Sequence, residues 1–216
     1  QRLTKELGIW MALQHPHITP LLGFILEGDL GIISPWYANG NIADYIVQHP
    51  DADRTKLVSD VASGLAYLHS RVPLVVHGDM KPDNVLIDDA GHAMIIDFGL
   101  SAIMEDDPTF STSLATSLQG TGNARWMAPE LLMQEGCKRS LSTDVYSFGC
   151  IALQVYTGEV PFKDTPTFQI IAAWFIGQTN PMAKREDYPS LSSPSVDWFY
   201  DILISCLDKD PTSRPS

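Results

Sequence analysis

Positive charge is in short supply in this chain: 14 Lys and Arg stand against 26 Asp and Glu, a formal net charge of −12 over 216 residues. Nucleic-acid duplexes and anionic membrane surfaces are gripped by clustered cations, so neither is expected as the main partner. Cysteine is scarce as well. Cys137, Cys150 and Cys206 are odd in number, far apart and without metal-ligand spacing. That excludes a disulfide framework and a thiolate metal centre, and reads as free, mostly buried thiols in a reducing compartment. No uninterrupted apolar run reaches the ~20 residues that span a bilayer, and Gln1-Arg2-Leu3 does not open a secretory signal. A cytoplasmic location is the expectation. The chain lacks an initial Met, from which a fragment or processed product is expected. It also lacks internal repeats and low-complexity linkers, so a single unit over residues 1–216 is expected.

What is present is globular: 44% of residues are hydrophobic and 19% charged, enough to close a core. A helix is expected over about residues 2–14, with Leu3, Leu7 and Trp10 on one stripe and Glu6 beside it, ended by His15-Pro16. Apolar runs at 21–26 and 31–36, joined by Glu27-Gly28-Asp29, predict a hairpin. Asn39-Gly40-Asn41 is a turn before a short helix at 42–48. Leu57, Val58, Val61, Leu65 and Leu68 recur at helical spacing within an amphipathic helix at 55–70. A short strand at 74–76, a polar loop at 77–84 and a second hairpin (85–88 with 93–96) follow. Residues 105–123 are polar, with six Ser or Thr between Thr109 and Ser117. Helices are expected at 142–156, 167–177 and 195–207; the first is apolar nearly all round and should be central. A little sheet followed by many helices means an α+β fold.

The loop His77-Gly78-Asp79-Met80-Lys81-Pro82-Asp83-Asn84, with Asp97-Phe98-Gly99 downstream, brings carboxylates, an ammonium and an amide to adjoining strand ends. Phosphoryl transfer calls for such a set. Carboxylate and amide oxygens suit a hard divalent metal, and a second carboxylate can face an incoming hydroxyl. The cluster is oxygen-rich and lacks paired His or Cys, so it is neither a zinc site nor a Ser-His-Asp triad. The remaining histidines, His15, His17, His49, His69 and His92, are scattered and are not expected to bind metal.

At these residues the sequence resembles a protein kinase. Trp126-Met127-Ala128-Pro129-Glu130, Asp144-Val145-Tyr146-Ser147-Phe148-Gly149 and Arg214-Pro215 continue the resemblance in kinase order. Arg125 through Glu130 is most similar to the tyrosine-kinase-like Ser/Thr group. The resemblance implies a bilobal kinase-like fold, with residues 1–36 as the remainder of the small lobe, 37–41 as the hinge and 42–216 as a mostly helical large lobe. It implies ATP and Mg²⁺ as cofactors and protein Ser/Thr hydroxyls, with Tyr left open, as acceptors. Asp79 then corresponds to the catalytic base and Lys81 to the γ-phosphate contact. Asn84 and Asp97 would hold magnesium, and Asn84 would share in catalysis. Glu6 matches the glutamate that pairs with the ATP-binding lysine, its alternative being a solvated surface residue. Pro35, Trp36 and Tyr37 match the segment that meets adenine, with Ser34 as a small gatekeeper and Leu86 as the floor.

Three departures stand out. The glycine-rich loop and the ATP-binding lysine would precede Glu6 and are not in this chain, which is therefore expected to be inactive alone. Gly78 stands where regulated kinases carry the arginine that meets an activation-segment phosphate, so Asp79 is expected not to wait for one. The hydroxyls at 109–117 are then either autophosphorylation sites without switching power or plain solvated loop. Gly122-Asn123 replaces the usual Gly-Thr of Ser/Thr kinases, while Lys81 still favours that class. Two alternatives remain open: a pseudokinase or scaffold, and a small-molecule phosphotransferase of the aminoglycoside or choline kinase type. Asp144 is expected to hold loop backbone near His77, Glu130 and Arg214 to form a buried ion pair, and tryptophans 126, 174 and 198 to fill the core or a groove.

Overall fold

The structure is a computed structural model that describes residues 8, 10–25, 31–97, 102–103, 123–134, 136–177, 181–182 and 184–216. The expected glutamate at position 6, most of the first helix, the turn at 27–29 and the Ser/Thr-rich segment lie outside the described residues. Of the first helix, Gly8, Trp10, Met11 and Ala12 are described as helical. It ends at Ala12, before the predicted boundary, in a turn where the Leu13 N–H donates to the Trp10 carbonyl (3.1 Å).

The first hairpin pairs β1 (Gly23–Ile25) with β2 (Gly31–Ile33), antiparallel and with Phe24 opposite Ile32. Phe24, Ile25, Ile32 and Ile33 are all exposed, so this hairpin adds little to the core. Helix α1 (Ile42–Gln48) starts where Asn41 caps it by accepting the Asp44 N–H (2.9 Å), a side-chain acceptor for an N-terminal amide that has no intrahelical partner. In the same way Asp53 caps α2 (Arg54–His69) by accepting the Lys56 N–H. The predicted stripe Leu57, Val58, Val61, Leu65 and Leu68 is buried. Strand β3 (Val75–Val76) precedes the second hairpin, β4 (Val85–Ile87) against β5 (Ala93–Ile95), with Leu86 opposite Met94.

Two elements had no sequence signal strong enough to foresee. Strand β6 (Ala102–Ile103) pairs antiparallel with β3; two residues carry no readable period. Helix α3 (Pro129–Met133) is a single turn with proline at its start. The long helix α4 (Leu141–Thr157) opens on a reciprocal cap between Ser140 and Thr143 and closes on Gly158 at φ 80°. Twelve of its residues are buried, from Thr143 to Val155, so it is central as expected. Helices α5 (Thr167–Phe175) and α6 (Asp197–Cys206) complete the chain. The core runs through α2, α4, the second hairpin and α6, an α+β arrangement in which helices dominate. Among the described residues no helix is long and apolar enough to cross a membrane.

Cys150 and Cys206 are buried and Cys137 partly so, all free; burial pushes the Cys206 thiol up to about 11. Trp174 is buried, but Trp198 is 53% exposed. The expectation of core or groove packing therefore fails for Trp198, which sits on the outer side of α6, edge-on to Phe199.

Helix α2 approaches the hairpin closely because Gly64 has no side chain. A Cβ there would lie 2.8 Å from the His17 carbonyl oxygen and 2.9 Å from Ile95 Cδ1. Gly64→Ala is expected to destabilise the protein by about 1–3 kcal/mol despite the better helix propensity of alanine. A urea unfolding midpoint equal to or above that of the parent would refute this close approach.

Candidate functional site

The loop between β3 and β4 is fixed by its backbone. The Asp144 carboxylate, 1% exposed at the start of α4, accepts the His77 N–H and the Gly78 N–H, both at 2.8 Å. Buried charge-assisted bonds of this kind are strong and directional. The His69 imidazole lies 3.1 Å from the same carboxylate. The His77 imidazole contacts the Ile96 carbonyl through Nε2 (2.8 Å) and accepts the Asp79 N–H at Nδ1 (3.2 Å). The carbonyl can only accept, so His77 is protonated at Nε2. His77 thus ties the loop to the strand that leads to Asp97. Gly78 sits at φ 77°, a conformation that costs other residues about 1–2 kcal/mol.

Two side chains then hold the Asp79 carboxylate through Oδ2. Lys81 Nζ donates to Oδ2 at 2.7 Å, and Asn84 Nδ2 donates to Oδ2 at 3.1 Å and to the Asp79 carbonyl at 2.8 Å. Asn84 is buried in a 3-10 turn (Pro82–Asn84), and its amide nitrogen is committed to Asp79. This orientation leaves Oδ1 as the acceptor end of the group. The Asn84 carbonyl accepts the Ile96 N–H (3.0 Å), which places Asp97 one residue past a direct bond to Asn84. Asp97 is exposed and stands at φ 60°. For a residue with a Cβ this left-handed conformation costs on the order of 1–3 kcal/mol, and such strain collects at functional sites. Asp79, Lys81, Asn84 and Asp97 are therefore brought together. The donor set, an amide oxygen and carboxylates, fits a hard divalent cation.

The segment at 34–41 meets the same hairpin. Asn41 bridges to Leu86, the Ile87 N–H donates to the Gly40 carbonyl (3.0 Å), and Asn39 Nδ2 donates to the Asp88 carbonyl (2.7 Å). Pro35 and Tyr37 are partly buried, Ser34 is exposed and Trp36 is 89% exposed. Leu86 is thus met by residues 39–41, just beyond Tyr37 in the chain, whereas Glu6 lies outside the described residues.

Sequence reasoning passed over two cations. Arg125 donates to the carbonyls of Pro161 (2.7 Å), Phe162 (2.9 Å) and Thr165 (3.0 Å), fastening the segment before α3 to the loop before α5. Burial lowers the pKa of the Arg139 guanidinium, while the Asp79 and Asp144 carboxylates raise it. A positive charge thus stands near Asp79 although position 78 is glycine. Arg139 belongs to no motif, and the motif that contains Arg125 does not record the carbonyls it bonds, so only the fold could reveal either role.

Farther off, Arg214 meets Glu130 in a bidentate pair, Nη1 to Oε1 at 2.7 Å and Nη2 to Oε2 at 2.9 Å, as the resemblance implied.

Comparison with known proteins gives a match to the protein kinase domain over residues 1–216. The chain is 31% identical over 220 residues to the mitogen-activated protein kinase kinase kinase ANP1 of Arabidopsis thaliana, covering 100% of this chain and 31% of that protein. It is 31% identical over 221 residues to the serine/threonine-protein kinase CTR1 of Arabidopsis thaliana, covering 98% of this chain and 25% of the relative. It is 30% identical over 227 residues to the receptor-interacting serine/threonine-protein kinase 3 of Rattus norvegicus, covering 100% and 46%. The chain thus spans less than half the length of each of these relatives.

Proposed function

The chain belongs to the protein kinase domain family, and from that premise we propose that it transfers the γ-phosphate of ATP to Ser or Thr hydroxyls of proteins. The observation that carries this reading is the Asp79 carboxylate, clamped by Lys81 and Asn84 on a loop that Asp144 pins from α4. A rigidly aimed carboxylate can accept the proton of an acceptor hydroxyl as the hydroxyl attacks. Lys81 lies beside it, where a cation can offset charge on the moving phosphoryl group. Asn84, through Oδ1, and Asp97 are the residues that would hold magnesium. Bound there, the metal supplies charge neutralisation for the phosphates. Pro35, Tyr37 and Leu86 would receive the adenine ring and Glu6 would orient the ATP-binding lysine. Residues 1–36, 37–41 and 42–216 would serve as small-lobe portion, hinge and large lobe. With glycine at position 78, Asp79 would act without waiting for an activation-segment phosphate, as a non-RD kinase. The names of two of these relatives, both serine/threonine-protein kinases, favour Ser and Thr as acceptors.

The test is radiolabelled phosphoryl transfer by the complete gene product that carries this domain, with Mg²⁺ and mixed protein acceptors, followed by phosphoamino-acid analysis. Phosphoserine and phosphothreonine are expected, with transfer abolished by chelation of the metal. Phosphotyrosine alone would overturn the acceptor class. Nucleotide binding without transfer to any acceptor would replace the enzyme reading with a docking module.

A further inference from the structure

Away from the loop at 77–84, three side chains distant in sequence converge on one point: His17 before β1, Asp60 within α2 and His92 in the turn between β4 and β5. Their ligand atoms all lie within 4.8 Å of one another. His17 Nε2 is 3.5 Å from Asp60 Oδ1, and His92 Nδ1 is 3.5 Å from Asp60 Oδ2. A tetrahedral ion with bonds of about 2.0–2.1 Å needs ligand atoms roughly 3.4 Å apart, so two of the three edges already match.

Both imidazoles are set in the tautomer a metal requires. His17 Nδ1 is 3.1 Å from the Ala93 carbonyl; a carbonyl only accepts, so the proton is on Nδ1 and the lone pair of Nε2 faces Asp60. This carbonyl–imidazole pairing is the usual outer support of a metal-bound histidine. His92 Nδ1 stands 2.7 Å from Lys56 Nζ. An ammonium only donates, so that nitrogen also presents its lone pair inward. Asp60 is fixed by accepting the Ala93 N–H (3.1 Å).

The cage already receives a cation. Lys56 Nζ places its three hydrogens on Asp60 Oδ2 (3.0 Å), the Gly91 carbonyl (3.2 Å) and His92 Nδ1 (2.7 Å). Its side chain is 39% exposed, against 10% for Asp60 and 16% for His17, so the lysine can swing into water while the three ligands stay. His92 is 41% exposed, which leaves a fourth position open to solvent.

We propose that His17, Asp60 and His92 form a binding site for a zinc-class divalent cation, with the Lys56 ammonium as the competing occupant. Two imidazoles and one carboxylate select zinc over magnesium or calcium, which favour all-oxygen sites. An ion there would cross-link α2 to the turn that opens β5, the strand leading to Asp97.

The probe is Zn²⁺ itself, titrated at neutral pH against a chromophoric chelator, with Co²⁺ absorption as a signature of coordination geometry. One equivalent is expected to bind. Because the competing ammonium is removed, Lys56→Ala should bind at least about tenfold tighter, while His92→Ala should bind at least about tenfold weaker. Circular dichroism would confirm that each variant is folded, and Lys56→Gln and His92→Gln would serve if either alanine variant is not. Affinity unchanged by either substitution, weakened by loss of Lys56, or matched by Mg²⁺ would overturn the site.

Discussion

Asp79→Asn is expected to lower phosphoryl transfer by about 10²–10⁴-fold, the usual contribution of a general base, while nucleotide binding changes little. The substitution keeps the shape of the side chain. An amide oxygen at that position can still accept from Lys81 Nζ and Asn84 Nδ2, which hold the carboxylate at 2.7 and 3.1 Å. The backbone bonds from His77 and Gly78 to Asp144 do not involve the Asp79 side chain, so the loop should retain its form. What is lost is the negative charge that takes the hydroxyl proton. Single-turnover transfer in the complete gene product, set beside binding of a fluorescent nucleotide, separates the two quantities. A variant that keeps more than about a tenth of the parental rate would remove Asp79 from the role of base.

Arg214→Met is expected to destabilise the domain by about 3–5 kcal/mol, because Glu130 would stay buried without its partner. The Arg214 side chain is fully buried and Glu130 is 6% exposed. Beyond its two bonds to Glu130, the guanidinium donates to the carbonyls of Ser142 (2.9 Å) and Asp208 (2.8 Å) and lies 4.9 Å from the Tyr146 ring centroid. It therefore joins α3, the start of α4 and the end of the chain. A loss of this size corresponds to a fall in Tm on the order of 10 °C for a domain of this length. The double variant Glu130→Leu/Arg214→Met should recover part of that loss, since it leaves no lone charge in the interior. Thermal unfolding followed by circular dichroism checks both. A single variant within 2 °C of the parent, on the ~10 °C scale expected, would mean that water reaches Glu130.

The two predictions rest on different kinds of legibility. The set Asp79, Lys81, Asn84 and Asp97 could be read because its members sit in a contiguous loop and at a strand end close behind, and strand geometry limits where they can go. Helix α2 could be read because burial of one face writes a 3.6-residue period into the chain, and α4 because a helix buried on nearly all sides is apolar nearly all round. Asn41 was read only as part of a turn and Asp53 not at all, although short polar side chains are the usual acceptors for the first amides of a helix. Trp198 was misjudged because α6 turns one side to solvent, and an apolar residue on a helix does not record which side that is.

Composition and local order decide the α+β class, the longer secondary elements and the loop at 77–84, since backbone sterics, capping and periodic burial act over a few residues. Tertiary structure alone decides which distant charges meet. His17, Lys56, Asp60 and His92 gather around one cation position because Gly64 lets α2 approach the His17 carbonyl and β5. Likewise Arg139 comes near Asp79 and Arg125 reaches the carbonyls of 161, 162 and 165. No local spacing encodes such meetings, because they depend on how whole helices are seated against the hairpin. Electrostatic partners are then set by distance in space, not by distance along the chain.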